Sequence, residues 1–204
     1  MKNLVELDTQ AFWWINSHHC TISDWFLWFI SQGWSWSFIL LTFFFLLTIK
    51  YDRNNWWLVL LGIGLCILIT DRVTVMCFKD VVERLRPCHA LENVRMFHTN
   101  CGGKYGFVSS HSANAFALAI YFIIRYGKKN FPTIPNNLRN TAAISLTSWA
   151  AIVAYSRPYL GKHYPGDIIC GAIVGLGLGA LVAFIIAFIE KKLTNNETNK
   201  SQLR

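Results

Sequence analysis

Acidic residues are scarce in this chain. Only 11 of its 204 residues are Asp or Glu, against 19 Lys and Arg, and they are scattered, which excludes a two-metal centre of clustered carboxylates. No extended polar stretch is present that would build a large soluble domain for capturing a water-soluble substrate. Met1 to Gln10 lacks a basic region followed by an apolar core and a small-residue cleavage site, so no cleavable signal is expected and the first crossing must direct insertion itself. The formal net charge is +8, but the cations fall between apolar segments rather than along one polar face. That distribution fits membrane topology and an anionic substrate, not nucleic acid.

Apolar residues are what the chain has in excess: 53% of it is hydrophobic, with nine Trp and fifteen Phe. This composition indicates one membrane domain over residues 1–189, followed by a polar tail over 190–204 that is expected to be disordered. A helical crossing takes about 20 mostly apolar residues. Crossings are predicted over 25–49, interrupted at Gly33, over 56–78, over 113–124 and 141–155 with their flanks, and over 168–189. Residues 7–17, too short and polar to span, are expected to lie in the interface, where tryptophan is favoured. The predicted fold is an all-α, polytopic transmembrane helix bundle of about five crossings plus an N-terminal interfacial helix. The positive-inside bias puts Lys50, Arg53, Arg125, Lys128, Lys129, Arg139, Lys191, Lys192, Lys200 and Arg204 in the cytoplasm, and residues 79–107 and 156–167 on the outer face. Gly171, Gly175 and Gly179 form a small-xxx-small stripe read as helix packing.

Three polar clusters carry the chemistry. Lys79 and Arg86 are seven positions apart and would project from one face if the second apolar helix ran on to Pro87, a two-cation clamp for a phosphoryl group. Ser109, Ser110 and His111 stand where a polar loop becomes a helix, a place for capping serines, an anion and a proton donor. Ser156, Arg157, His163 and Asp167 join the fourth and fifth apolar segments. A carboxylate four residues after a histidine can hold one ring nitrogen and leave the other as a nucleophile. Asp71 and Arg72, inside an apolar run, either support the site or make a structural contact between helices. Of the six cysteines, Cys20, Cys66, Cys77 and Cys170 read as packing, whereas Cys88 and Cys101 bracket the polar loop and would form a disulfide in an oxidising compartment.

The stretches KDVVERLRP (79–87), FVSSHS (107–112) and SRPYLGKHYPGD (156–167) resemble, in order and spacing, the three signature motifs of the type 2 phosphatidic acid phosphatase superfamily, which also includes vanadium haloperoxidases. The resemblance implies a metal-independent lipid phosphatase, without cofactor, in which Lys79, Arg86, Arg157, Ser109 and the amide of Ser110 hold phosphate. His163 would attack phosphorus, Asp167 would orient it, and His111 would protonate the leaving group and later activate water. Val108 and Ser110 stand where the family usually has proline and glycine, so a local change of shape is expected there without loss of activity. The implied substrate is a phospholipid or isoprenoid phosphate, with undecaprenyl diphosphate favoured by an outer, periplasmic site on a bacterial cytoplasmic membrane. Phosphatidylglycerophosphate, phosphatidic acid and phosphorylated lipid A are the alternatives. A small anion or lipid transporter would use the same cations without a nucleophile, and a haloperoxidase would need vanadate.

Overall fold

The structure is a computed structural model that describes the backbone of residues 2–202 and the side chains of residues 3–195. Helix α1 spans Lys2–Ser17 and α2 spans Thr21–Ser31. Helix α3, Gly33–Ile49, opens in a 3-10 turn and closes in a π turn. Helix α4, Arg53–Val82, also passes through a π segment, Thr74–Lys79. The short α5, Pro87–Ala90, lies in the polar loop, followed by α6 (Ser110–Arg125), α7 (Asn136–Tyr159) and α8 (Pro165–Gln202). The described residues contain no strand, only an isolated bridge between Leu85 and Tyr105.

By length and composition α4 and α8 can cross a membrane, and α2 with α3 makes a third span if the bent pair is counted as one. Helix α6 has 16 residues, short for a hydrocarbon core of about 30 Å. Helix α7 begins with the polar run Asn136, Asn137, Arg139 and Asn140. Both were counted among the expected five crossings and neither reaches that standard alone. The first crossing, expected over 25–49 with an interruption at Gly33, is a pair of helices bent by 77°. Gln32 adopts extended geometry (φ −77°, ψ 128°) and Gly33 restarts the helix, so the break turns Ser31, Gly33 and Trp36 toward the polar end of the bundle. A second correction concerns the tail, which is helical through Gln202 rather than disordered. Arg204 lies outside the described residues, and Lys200 outside those whose side chains are described.

The core forms where α6 packs against α8, α7 and α4. A Cβ on Gly171, Gly175 or Gly179 would lie 2.6, 2.1 or 2.2 Å from the backbone oxygens of Ser109, Ala113 and Ala117. The glycine stripe therefore lets α8 lie directly on the backbone of α6, the close approach that drives association in lipid. At the end opposite the signature motifs, the buried Arg125 pairs with both Asp52 and Glu190, and Asn55 donates to the same two carboxylates. Pairing with Arg125 leaves neither the buried guanidinium nor the buried Asp52 as an unpaired charge. These pairs tie α4, α6 and α8 together at the end expected to face the cytoplasm.

Candidate active site

The other end of the bundle gathers the three motifs. Lys79, Arg86, Ser110, His111, Arg157 and His163 line one cavity of ≈ 380 Å³, together with Gly33, Trp36, Ile67, Asp71 and Asn114. Asp71 is the one carboxylate in that lining, so the cavity is set up for an anion.

Lys79 and Arg86 reach it by a route the spacing did not foresee. The helix does not continue from one to the other: Glu83 adopts a left-handed conformation (φ 51°) that stops α4. The chain then runs extended to Arg86, which caps α5 at Pro87. The Arg86 amide donates to the Lys104 carbonyl and the Gly106 amide to the Arg84 carbonyl, so pairing with the far side of the loop replaces the helix as the support. Arg86 spends Nε on the Tyr105 carbonyl (3.3 Å) and Nη1 on the Cys101 carbonyl (3.2 Å), which leaves Nη2 uncommitted by either bond. Cys88 and Cys101 are joined by a disulfide, with Cα atoms 5.9 Å apart. Closing a loop of this size removes chain entropy equivalent to about 3 kcal/mol, and here it fixes a carbonyl that aims Arg86.

Lys79 donates to the Ser110 hydroxyl (2.7 Å), which also pairs with Thr74 (2.8 Å). A glycine at 110 would offer neither contact, so the departure from the family motif gives Lys79 a side-chain anchor. Ser109, expected to hold phosphate, does not reach the cavity. Its hydroxyl caps α6 by accepting from the Ser112 amide, and its amide donates to the Asp167 carbonyl (3.0 Å). The hydroxyl is committed to the start of α6 and the amide to seating α6 on α8. Arg157 is buried, donates from Nη1 to Ser31 on the bent first span, and has no partner for Nε among the described residues.

His163 closes the turn before α8. Its Nδ1 faces Asp167 Oδ2 at 3.5 Å and has no hydrogen-bond partner among the described residues. Burial, then the positive charges of Arg157, Arg86 and Lys79, hold the ring well below the ordinary histidine value. The imidazole is therefore neutral here at neutral pH. His111, on the first turn of α6, meets the Trp36 ring edge-on at 5.7 Å between centroids. Burial and the neighbouring Arg157 and Arg86 pull the Lys162 ammonium down to about 8.

Asp71 accepts from Asn114 (2.8 Å) while lining the cavity, so it joins two helices and faces the site at once. Sequence reasoning missed Asn114, Trp36 and Lys162, although Asn114 follows His111 at helical spacing and Lys162 lies inside the third motif. It also missed Arg84 and Asp8. Arg84 Nη1 donates to Asp167 (2.9 Å) and Nη2 to Asp8 on α1 (2.7 Å).

The PAP2 superfamily model matches residues 55–191. A lipid A 4'-phosphatase from Bacteroides thetaiotaomicron is 32% identical over 94% of this chain and 80% of its own length. The lipid A 4'-phosphatase of Porphyromonas gingivalis is 31% identical over 89% and 74%. Among solved structures, a transmembrane PAP2 type phosphatidylglycerolphosphate phosphatase from Bacillus subtilis superposes with a TM-score of 0.66 at 19% identity, covering 94% of this chain and 88% of that one. With the family model spanning most of the bundle and the three motifs meeting in one cavity, the chain belongs to the PAP2 superfamily and is an integral-membrane lipid phosphatase.

Proposed function

We propose that the protein removes a phosphate monoester from a glycolipid of the lipid A class, by way of a phosphohistidine on His163, at the outer face of a bacterial cytoplasmic membrane. The observation that carries this reading is the convergence of Lys79, Arg86, Arg157, His111 and His163 on one cavity at the end of the bundle. Similarity to lipid A 4'-phosphatases over about nine-tenths of the chain favours that substrate over the isoprenoid diphosphate expected from the sequence. The outer placement rests on the cations of the opposite end, which the positive-inside bias assigns to the cytoplasm.

Lys79, Arg86 and Arg157 take the charge that spreads over the equatorial oxygens in phosphoryl transfer. The His163 nitrogen away from Asp167, Nε2, attacks phosphorus and the bond to the sugar oxygen breaks, with His111 donating a proton to that oxygen. Asp167 steadies the positive ring that forms. Water, giving its proton to His111, then splits the P–N bond and releases inorganic phosphate.

Purified protein given bis-phosphorylated lipid A, undecaprenyl diphosphate, phosphatidylglycerophosphate and phosphatidic acid in EDTA is expected to release phosphate fastest from lipid A. Faster release from the diphosphate would return the assignment to an isoprenoid substrate, and no release from any lipid would reject it. The pH profile carries a second expectation. The reactive His163 ring is the neutral one and its pKa is lowered, so the acid limb of kcat/KM should be centred below 6.5, while the need for a protonated His111 makes the rate fall on the alkaline side. An acid limb centred at 6.5 or higher would count against the neutral His163 ring as the nucleophile.

A further inference from the structure

Beyond the motif residues, a chain of charges runs behind His163. Asp167 is fully buried, and both its oxygens are committed: Oδ1 accepts from Arg84 Nη1 (2.9 Å), and Oδ2 accepts from the Tyr164 amide (2.9 Å) while facing His163. Arg84 also lies over the Tyr164 ring, 4.0 Å from its centroid. Its other terminal nitrogen donates to Asp8 Oδ2 (2.7 Å), and Asp8 Oδ1 accepts from the Gly166 amide (2.7 Å). Every residue of the turn from His163 to Asp167 except Pro165 is thus touched by Arg84, Asp8 or Asp167. Arg84 is planar and forked, so fixing one nitrogen on Asp8 fixes the direction of the other toward Asp167. A lysine could make either contact but not hold the two carboxylates in one plane.

We propose that Arg84 and Asp8 are positioning residues for the His163–Asp167 pair, so that the N-terminal helix α1 is part of the active site rather than a membrane-surface appendage. Neither side chain lines the cavity, and their effect passes through Asp167. The carboxylate must keep Oδ2 aimed at the imidazole as the ring acquires charge. Arg84 prevents it from rotating, and Asp8 prevents Arg84 from swinging away. The inference rests on the phosphohistidine reading.

The test uses the full chain in detergent with bis-phosphorylated lipid A as the probe. Arg84→Gln is expected to lower kcat on the order of 10²-fold, the cost of a small misplacement of a reacting group, with KM moving less than about threefold. Asp8→Asn should lower kcat by less, and Arg84→Lys should recover part of the loss. In an Asp167→Asn background, Arg84→Gln should add almost nothing, because its route of action is already cut. A KM rise with unchanged kcat, an undiminished effect in the Asp167→Asn background, or wild-type kcat in Asp8→Asn would overturn the proposal. If Arg84→Gln fails to fold, Asp8→Asn and Arg84→Lys decide alone. His163→Ala is run beside them: turnover surviving there removes the phosphohistidine reading itself, whereas an inert His163→Ala with an unaffected Arg84→Gln removes only the role of Arg84.

Discussion

His163→Ala should abolish phosphate release, with a loss on the order of 10⁴-fold or more, since His111, the other imidazole lining the cavity, is taken up by the proton transfers. The residues proposed to bind phosphate are untouched by this change. Lys79, Arg86 and Arg157 reach the cavity through Ser110, the disulfide-tied loop and Ser31 respectively, none of which depends on the imidazole. The variant should therefore still bind inorganic phosphate or the lipid with near-wild-type affinity, a combination that separates chemistry from binding. Rapid acid or alkaline quenching with labelled lipid checks the cause directly. Wild-type protein should carry an acid-labile, alkali-stable phosphoryl group that the variant lacks. Equal labelling of both proteins would move the nucleophile to another residue, and residual turnover above a hundredth of wild type would favour direct attack by water. The result also decides against a transporter built on the same cations, for which an uncharged imidazole in the cavity has no necessary task.

How much of this site could be read from the chain depends on how local each contact is. His163 and Asp167 sit in one turn, and Pro165 and Gly166 announce both the break and the restart of the helix, so their proximity follows from spacing. The capping role of Ser109 follows equally from its position before an apolar run. Lys79 and Arg86 do line one cavity, but not by the continuous helix that their spacing suggested. Glu83 in a left-handed conformation ends the helix, and glutamate carries no propensity that would announce it. The bend at Gln32 was visible only as an interruption by Gly33. Its consequence, bringing Trp36 and Ser31 to the site, needs the angle between two helices, which no periodicity encodes. Arg84 reaches Asp8 and Asp167 across 76 and 83 positions of sequence. Nothing in the local pattern distinguishes Arg84 from a surface cation, or Asp8 from the other polar residues of an interfacial helix. The triad of Arg125, Asp52 and Glu190 escaped notice for the same reason, since each member alone looks like a charge at a helix end. The fold class was legible because lipid imposes it on composition, whereas bends and breaks are settled by contacts between distant segments.

The second large effect is expected at His111, and it should depend on what leaves. A sugar alkoxide departs from phosphorus only if it is protonated as the bond breaks, so His111→Gln should slow turnover of a lipid phosphate by about 10² to 10⁴-fold, the range for loss of a general acid. A p-nitrophenyl phosphate needs no such proton, because its phenolate is already a stable anion. Its first step should be nearly unaffected in the variant. The second step is different, since water must lose a proton to split the phosphohistidine whichever group left first, and His111 is the ring placed to take it. With p-nitrophenyl phosphate the variant should therefore show a burst of one nitrophenolate per enzyme, then a slow steady state with the phosphoenzyme accumulated. The Trp36 edge against the His111 ring gives the experiment its control. Trp36→Phe preserves an aromatic wall and should cost far less than His111→Gln on either substrate. Equal slowing of both substrates with no burst would mean that His111 only shapes the cavity, and another group, or solvent, would have to supply both proton transfers.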